Sequence, residues 1–136
     1  MSQWIIGFTA TSLAFLGLDA VWLNFAANRL YRPHIGHLMR EDFALAPAIA
    51  FYVIYIIGIL IFAIAPAVEA GRWTTALWRG AALGFLAYAT YDLTNQATLK
   101  GWSSTVTIAD LAWGAFVTAS AALAGFWAIR WWIAEG

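Results

Sequence analysis

The chain contains no cysteine. Disulfides, thiolate metal sites and thiol catalysis are therefore excluded, and nothing in the sequence reports a redox compartment. Charge is also scarce: 10% of the residues are Asp, Glu, Lys or Arg, against about 25% in ordinary soluble domains. Seven basic residues balance seven acidic ones, so no net field recruits a polyanion and no nucleic-acid partner is expected. The three prolines, Pro33, Pro47 and Pro66, stand at or near the ends of apolar runs, where a missing N–H is tolerated. No Walker loop, GxSxG elbow or dinucleotide fingerprint occurs, and no cofactor is expected.

What is abundant is hydrocarbon: 63% of the side chains are hydrophobic. A bilayer core of ~30 Å takes ~20 apolar residues per helix, and four stretches meet that length, at about 3–28, 44–66, 77–99 and 107–132. The expected fold is all-α: an integral membrane four-helix bundle in a single transmembrane domain over 1–136, with both termini on the same side. The opening MSQWIIGFTATS has no positive flank and Asp19 interrupts its apolar run, so the first span reads as a permanent helix and not a cleaved signal. Rings favour membrane interfaces. Trp4, Trp73, Trp78, Trp131 and Trp132 mark one side, face A, and Tyr31 and Trp102 mark the other, face B. Arg29, Arg32, Arg40 and Lys100 on face B nearly balance Arg72, Arg79, Arg130 and the terminal amine on face A, so the positive-inside rule assigns no orientation.

Three aspartates fall inside these runs. Counted at 1.5 Å per residue from the face-B end of its own helix, Asp19 lies ~13 Å deep, Asp92 ~10 Å and Asp110 ~5 Å. Three helices of alternating direction thus carry an acid into the same half of the bilayer, and Tyr52 and Tyr55 of the second helix fall in that layer. A carboxylate at mid-helix costs ~2.5–3.5 kcal/mol on insertion scales, so these groups are expected to face the interior or water. Tyr88, Asn95 and Gln96 share the face of Asp92, at i−4, i+3 and i+4. The expected pocket joins Asp92 to Asp19, Tyr52 or Tyr55, Tyr88, Asn95 and Asp110. Two acids this close in a poor dielectric do not both stay ionised easily, and they titrate as a coupled pair. Each acid has a plainer reading. Thr107-Ile-Ala-Asp110 fits a capping box, with Thr107 as the N-cap, and Asp19 could tie its helix to Tyr91 or Asn95 by a hydrogen bond.

His34 and His37, in RPHIGH, lie in the first face-B loop outside any span. With no cysteine and no HExxH or HxxxH pattern, no metal site is expected, and axial haem ligation is disfavoured. Arg29 and Arg32, beside Tyr31, read as anchors for lipid headgroups. Gly80 and Gly84 form a GxxxG, and Gly114, Thr118, Ala121 and Gly125 make a small-residue stripe. Such residues allow backbones to approach closely, either within the bundle or across a homodimer seam, and a homodimer is expected.

The segments LDAVWL (18–23), FYVIYIIG (51–58), YATYDLTNQATLKGW (88–102) and DLAWG (110–114) carry a resemblance. Over essentially its whole length the chain resembles the bacterial membrane-protein family catalogued as domain of unknown function 2177. The YDLTN segment and the D-x-x-W-G that contains Asp110 and Trp113 are its most specific features. The resemblance implies a compact four-span protein of the bacterial inner membrane and brings no activity with it.

Three functions fit these residues. One is a polar intramembrane site that binds or conducts a small cation or polar solute with proton linkage, with Asp19 and Asp92 as its charge centre. A second is an intramembrane enzyme acting on a lipid or other apolar substrate, with paired carboxyls as general acid and base. A third is a structural or accessory subunit whose polar layer fixes helix register. The candidate binding residues are Asp19, Asp92, Asn95, Tyr88, Tyr91, Tyr52, Tyr55, Asp110 and Trp113. The number of polar groups in one layer favours the first function over the third, since a single tie needs only two.

Overall fold

In hydrocarbon every backbone N–H and C=O must find a partner inside the protein, and a helix meets that demand within one segment. In the computed structural model, which describes residues 2–135, the apolar runs form an all-α bundle of four helices. These are α1 (Ser2–Leu38), α2 (Leu45–Ala70), α3 (Trp73–Thr98) and α4 (Ser104–Glu135). Helices α1, α2 and α4 are long and apolar enough to cross a membrane, and large apolar side chains such as Leu13, Val21, Ile54, Leu86 and Ile108 are exposed around the bundle. Helix α3 has the length, at 26 residues, but its second half is polar.

The helices overrun the apolar stretches, and two prolines account for local departures from α-geometry. A π-helical turn, Ala27–Tyr31, precedes Pro33 in α1. A wider turn accommodates a residue that lacks an N–H and whose ring crowds the preceding turn. Helix α1 therefore continues past residue 28 until Ile35 leaves the helical region and Met39 becomes extended. In α2 a second π-helical turn, Leu60–Ile64, precedes Pro66. Pro66 cannot donate to the carbonyl of Phe62, and that oxygen accepts from Arg79 Nη1 of α3 at 3.1 Å instead. Helix α2 stops at Gly71, whose φ of 69° is left-handed. The Gly71 and Arg72 N–H groups then close on the carbonyls of Val68 and Ala67, a glycine C-cap.

Helix α4 is the central element, with α1 and α3 packed along it. Contact is through small residues. A Cβ on Gly80 would stand 2.9 Å from Ala119 Cα, and one on Gly84 would overlap the Gly114 carbonyl. Gly125 faces Thr11 and Ile64, and Gly7 faces Ile129. Gly80 and Gly84 are thus taken up inside the bundle, so the expected homodimer loses the seam that motivated it. A dimer would have to form through another face.

The apolar core is filled by Phe15, Ile56, Ile59, Ile64, Val117, Phe126 and Ile129. Helix α2 contributes mainly from its second half. Its first half stands off, with Leu45, Ile49, Phe51, Val53 and Ile54 exposed. Apolar grooves flank it on both sides, one of about 480 Å³ toward α1 and one of about 310 Å³ toward α3.

Candidate functional site

The three aspartates expected inside the membrane are all buried, on three different helices. Asp19 of α1 accepts the Tyr52 hydroxyl on Oδ2 at 2.6 Å and Trp113 Nε1 on Oδ1 at 3.4 Å. Asp110 of α4 accepts the Tyr31 hydroxyl, which itself accepts Trp22 Nε1 at 2.8 Å. Both acids line one cavity of about 380 Å³, whose wall is built from Trp22, Tyr31, Tyr52, Tyr88, Tyr91, Trp102 and Trp113. Ile35 and Met39, at the end of α1, and Trp102, in the α3–α4 connection, bound it on the face-B side. His37 packs against Gly101, where a Cβ would stand 2.8 Å from His37 Nε2 and where the left-handed φ of 77° itself favours glycine. The two face-B connections are thereby held together beside the cavity.

Asp110 is not a helix cap. Helix α4 begins at Ser104, and Ser103 Oγ accepts the Val106 N–H at 3.4 Å, so Asp110 lies in the second turn. Thr107, expected as the cap, is buried inside the helix. It donates to Gln96 Oε1 at 2.8 Å and accepts Trp102 Nε1 at 3.1 Å. An acid two turns into a helix draws no support from unpaired N–H groups at the terminus, so its partners are Tyr31 and the neighbouring acid.

That neighbour is Asp92. Its side chain lies beside the Asp110 carboxyl and is 0% exposed. Neither of its oxygens has a hydrogen-bond donor among the described residues. Asp92 does not line the cavity. The acids facing the cavity are therefore Asp19 and Asp110, where Asp19 and Asp92 were expected as the charge centre.

The other expected residues divide. Tyr52, Tyr88, Tyr91 and Trp113 line the cavity, and Tyr88 also fills the space over Gly114. Tyr55 does not reach it: its hydroxyl pairs with Thr118 Oγ1 at 2.8 Å, tying α2 to α4 within the core. Asn95 is half-buried on α3 and lies outside the cavity wall.

Trp22, Tyr31 and Trp102 belong to the site without having been singled out for it. Trp22 stacks on Trp113 with centroids 4.7 Å apart and planes 9° apart, and Tyr31 and Trp22 meet nearly perpendicular. Nine residues separate Trp22 from Tyr31, which in a regular helix places them on opposite faces. The π-helical turn advances the chain by less than 100° per residue and brings Tyr31 round toward α4. The signal available in the sequence was Pro33, which calls for such a turn. Tyr31 is thus an interior donor, while Arg29 folds back on the Phe25 carbonyl and ring and Arg32 is exposed.

His34 Nδ1 pairs with the Leu30 carbonyl at 2.7 Å. Among the described residues no three His, Asp or Glu side chains come together as a metal site requires. Two carboxyls held by neutral O–H and N–H donors, in a cavity with no Lys, Arg or His among the described residues of its wall, can accept a cation or exchange a proton.

Comparison with protein families matches residues 4–127 to the family described as "Predicted membrane protein (DUF2177)". The chain belongs to that family. No curated protein and no solved structure matches it.

Proposed function

We propose that this member of the DUF2177 family is a four-span protein of the bacterial inner membrane that binds a small cation or polar solute inside the bilayer and couples its binding to a proton. One observation carries the reading: Asp19 and Asp110 share an aromatic cavity in which their tyrosine and tryptophan donors are neutral and, among the described residues, no basic side chain lines the wall. Buried carboxylates are ordinarily paired with a cation or neutralised. Here a ligand or a proton fills that role.

Asp92 supplies the proton linkage. Two adjoining carboxyls with no other donor for Asp92 are best satisfied by one proton held between them, so that one acid donates to the other. A cation arriving at Asp110 competes with that proton. The test is flux in proteoliposomes carrying an internal pH dye, with inward gradients of small cations from sodium to tetramethylammonium. At least one of them should drive protons out of wild-type vesicles, and Asp19→Asn and Asp110→Asn should abolish the movement. Flux that persists unchanged in both variants would remove the site from the mechanism.

The fourth span is α3. Its exposed threonines Thr90, Thr94 and Thr98 each donate to a carbonyl one turn back on the same helix, so this polar-looking face presents few unpaired groups to lipid. With four crossings both termini lie on the same side.

A second reading, an intramembrane enzyme using carboxyl acid–base chemistry on a lipid, is favoured by the two grooves flanking α2. They meet the cavity at Tyr52 and at Tyr88 and Tyr91. Incubation with lipid extract followed by mass spectrometry tests it: a product that appears with wild type and not with Asp19→Asn would support the enzyme.

A further inference from the structure

The cavity and the groove between α1 and α2 share a wall. Tyr52 faces the groove with its ring flank, among Phe8, Leu16, Ile49 and Val53, and it reaches Asp19 in the cavity with its hydroxyl. On the cavity side the surroundings are acidic and aromatic. On the groove side they are almost purely apolar, over about 480 Å³.

The two compartments select for different parts of one molecule. Aromatic faces attract cations through their quadrupoles, most strongly where water is displaced, and indole is the best of them. Seven aromatic side chains line the cavity with the two carboxyls: Trp22 and Trp113, which stack on each other, and Tyr31, Tyr52, Tyr88, Tyr91 and Trp102. Inorganic divalent ions instead take six or more oxygen ligands, and no three acidic or histidine side chains converge among the described residues. The chemistry therefore favours an organic ammonium, whose weakly hydrated alkyl groups sit on rings while its charge is balanced by Asp19 and Asp110. A phosphate beside that ammonium would find no basic partner in the wall.

We infer that the cavity takes the head group of a singly charged alkylammonium amphiphile, whose hydrocarbon tail passes the ring of Tyr52 and lies in the groove between α1 and α2. This inference rests on the cation-binding reading above and narrows its ligand. The first half of α2 is the flank past which such a molecule slides from the bilayer, since it packs loosely where the second half is fixed in the core.

The experiment is calorimetric titration of the full chain in lipid nanodiscs, with empty nanodiscs as blank and every amphiphile below its critical micelle concentration. The probes are dodecyltrimethylammonium, tetramethylammonium, dodecylphosphocholine and an uncharged dodecyl analogue of matching shape. Dodecyltrimethylammonium should bind wild type at least about ten-fold more tightly than each of the other three, a difference of ~1.4 kcal/mol. Val53→Trp, which fills the groove from an exposed position, should reduce it to the affinity of tetramethylammonium and leave tetramethylammonium itself unchanged. Equal binding of the uncharged analogue overturns the ammonium, and equal binding of dodecylphosphocholine assigns the cavity to phospholipid headgroups instead. If tetramethylammonium binds as tightly as the tailed cation, the amphiphile falls and the cation site stands. If neither cation binds wild type, and sodium also drives no proton movement in vesicles, both readings fall together.

Discussion

Asp19 has two donors and Asp110 has the Tyr31 hydroxyl, while Asp92, the least exposed of the three, has no donor among the described residues apart from its neighbouring acid. An unmade hydrogen bond to a buried group costs ~1–3 kcal/mol, whereas a well-made replacement can be neutral. Asp92→Asn places an amide N–H beside Asp110, so its unfolding midpoint in mixed dodecyl sulfate and maltoside micelles should equal or exceed that of wild type. Asp92→Leu offers no donor and should be lower by ~1–3 kcal/mol. If Asn proves as harmful as Leu, the two acids do not share a hydrogen bond. Tyr31→Phe keeps the ring against Trp22 but removes the donor to Asp110, and the same assay should show a loss of similar size. That acids from three helices would meet at one level of the bundle was legible in advance, because the rise per residue converts sequence position into height along a helix. Residue pairing was not. Asp110 rather than Asp19 adjoins Asp92, and that depends on helix azimuths which four independent apolar runs leave free.

Among the elements, α3 and α4 make the tightest contact, and their glycines are the reason. GxxxG was readable as a close-packing device, but its partner was not, since a small-residue stripe is equally suited to a neighbour in the same chain or in another copy. The Gly84 position admits no Cβ without separating α3 from Gly114, while Gly58 of α2 has open space around it. Gly84→Ala should therefore destabilise by ~1–3 kcal/mol, the usual cost of overpacking. Gly58→Ala should be neutral or stabilising by up to ~1 kcal/mol, because alanine loses less backbone freedom in a helix. The two variants differ by one methyl each, so the micelle unfolding assay separates packing from composition. A neutral Gly84→Ala would mean that α3 and α4 do not meet at this distance. The helix ends were less legible than the helices. Pro33 and Pro66 read as stops, yet each follows a widened turn that lets its helix run on. Local sequence announces the defect but not whether tertiary contacts, such as Arg79 on the Phe62 carbonyl, will satisfy it.

For the whole molecule, the arrangement in the membrane depends on α3. If that helix crosses, the turn at Gly71 and the connection near Gly101 lie on opposite sides, and the cavity opens toward the side of the latter. If α3 instead lay along the surface, Asp92 would need water, yet it is 0% exposed and packed against α4. The helix is also long enough: 26 residues rise ~39 Å, more than the ~30 Å of hydrocarbon. The absence of cysteine makes the test direct, because a single introduced thiol has no background. In right-side-out and inverted vesicles, Arg72→Cys and Glu135→Cys should react with an impermeant maleimide from one side, and Arg40→Cys and Lys100→Cys from the other. All four positions are exposed, so access is decided by the membrane and not by the fold. Labelling of Arg72→Cys and Lys100→Cys from the same side would remove the fourth span. Asp92 would then have no reason to share a depth with Asp19 and Asp110, and the proton linkage assigned to the acid pair would fail with it.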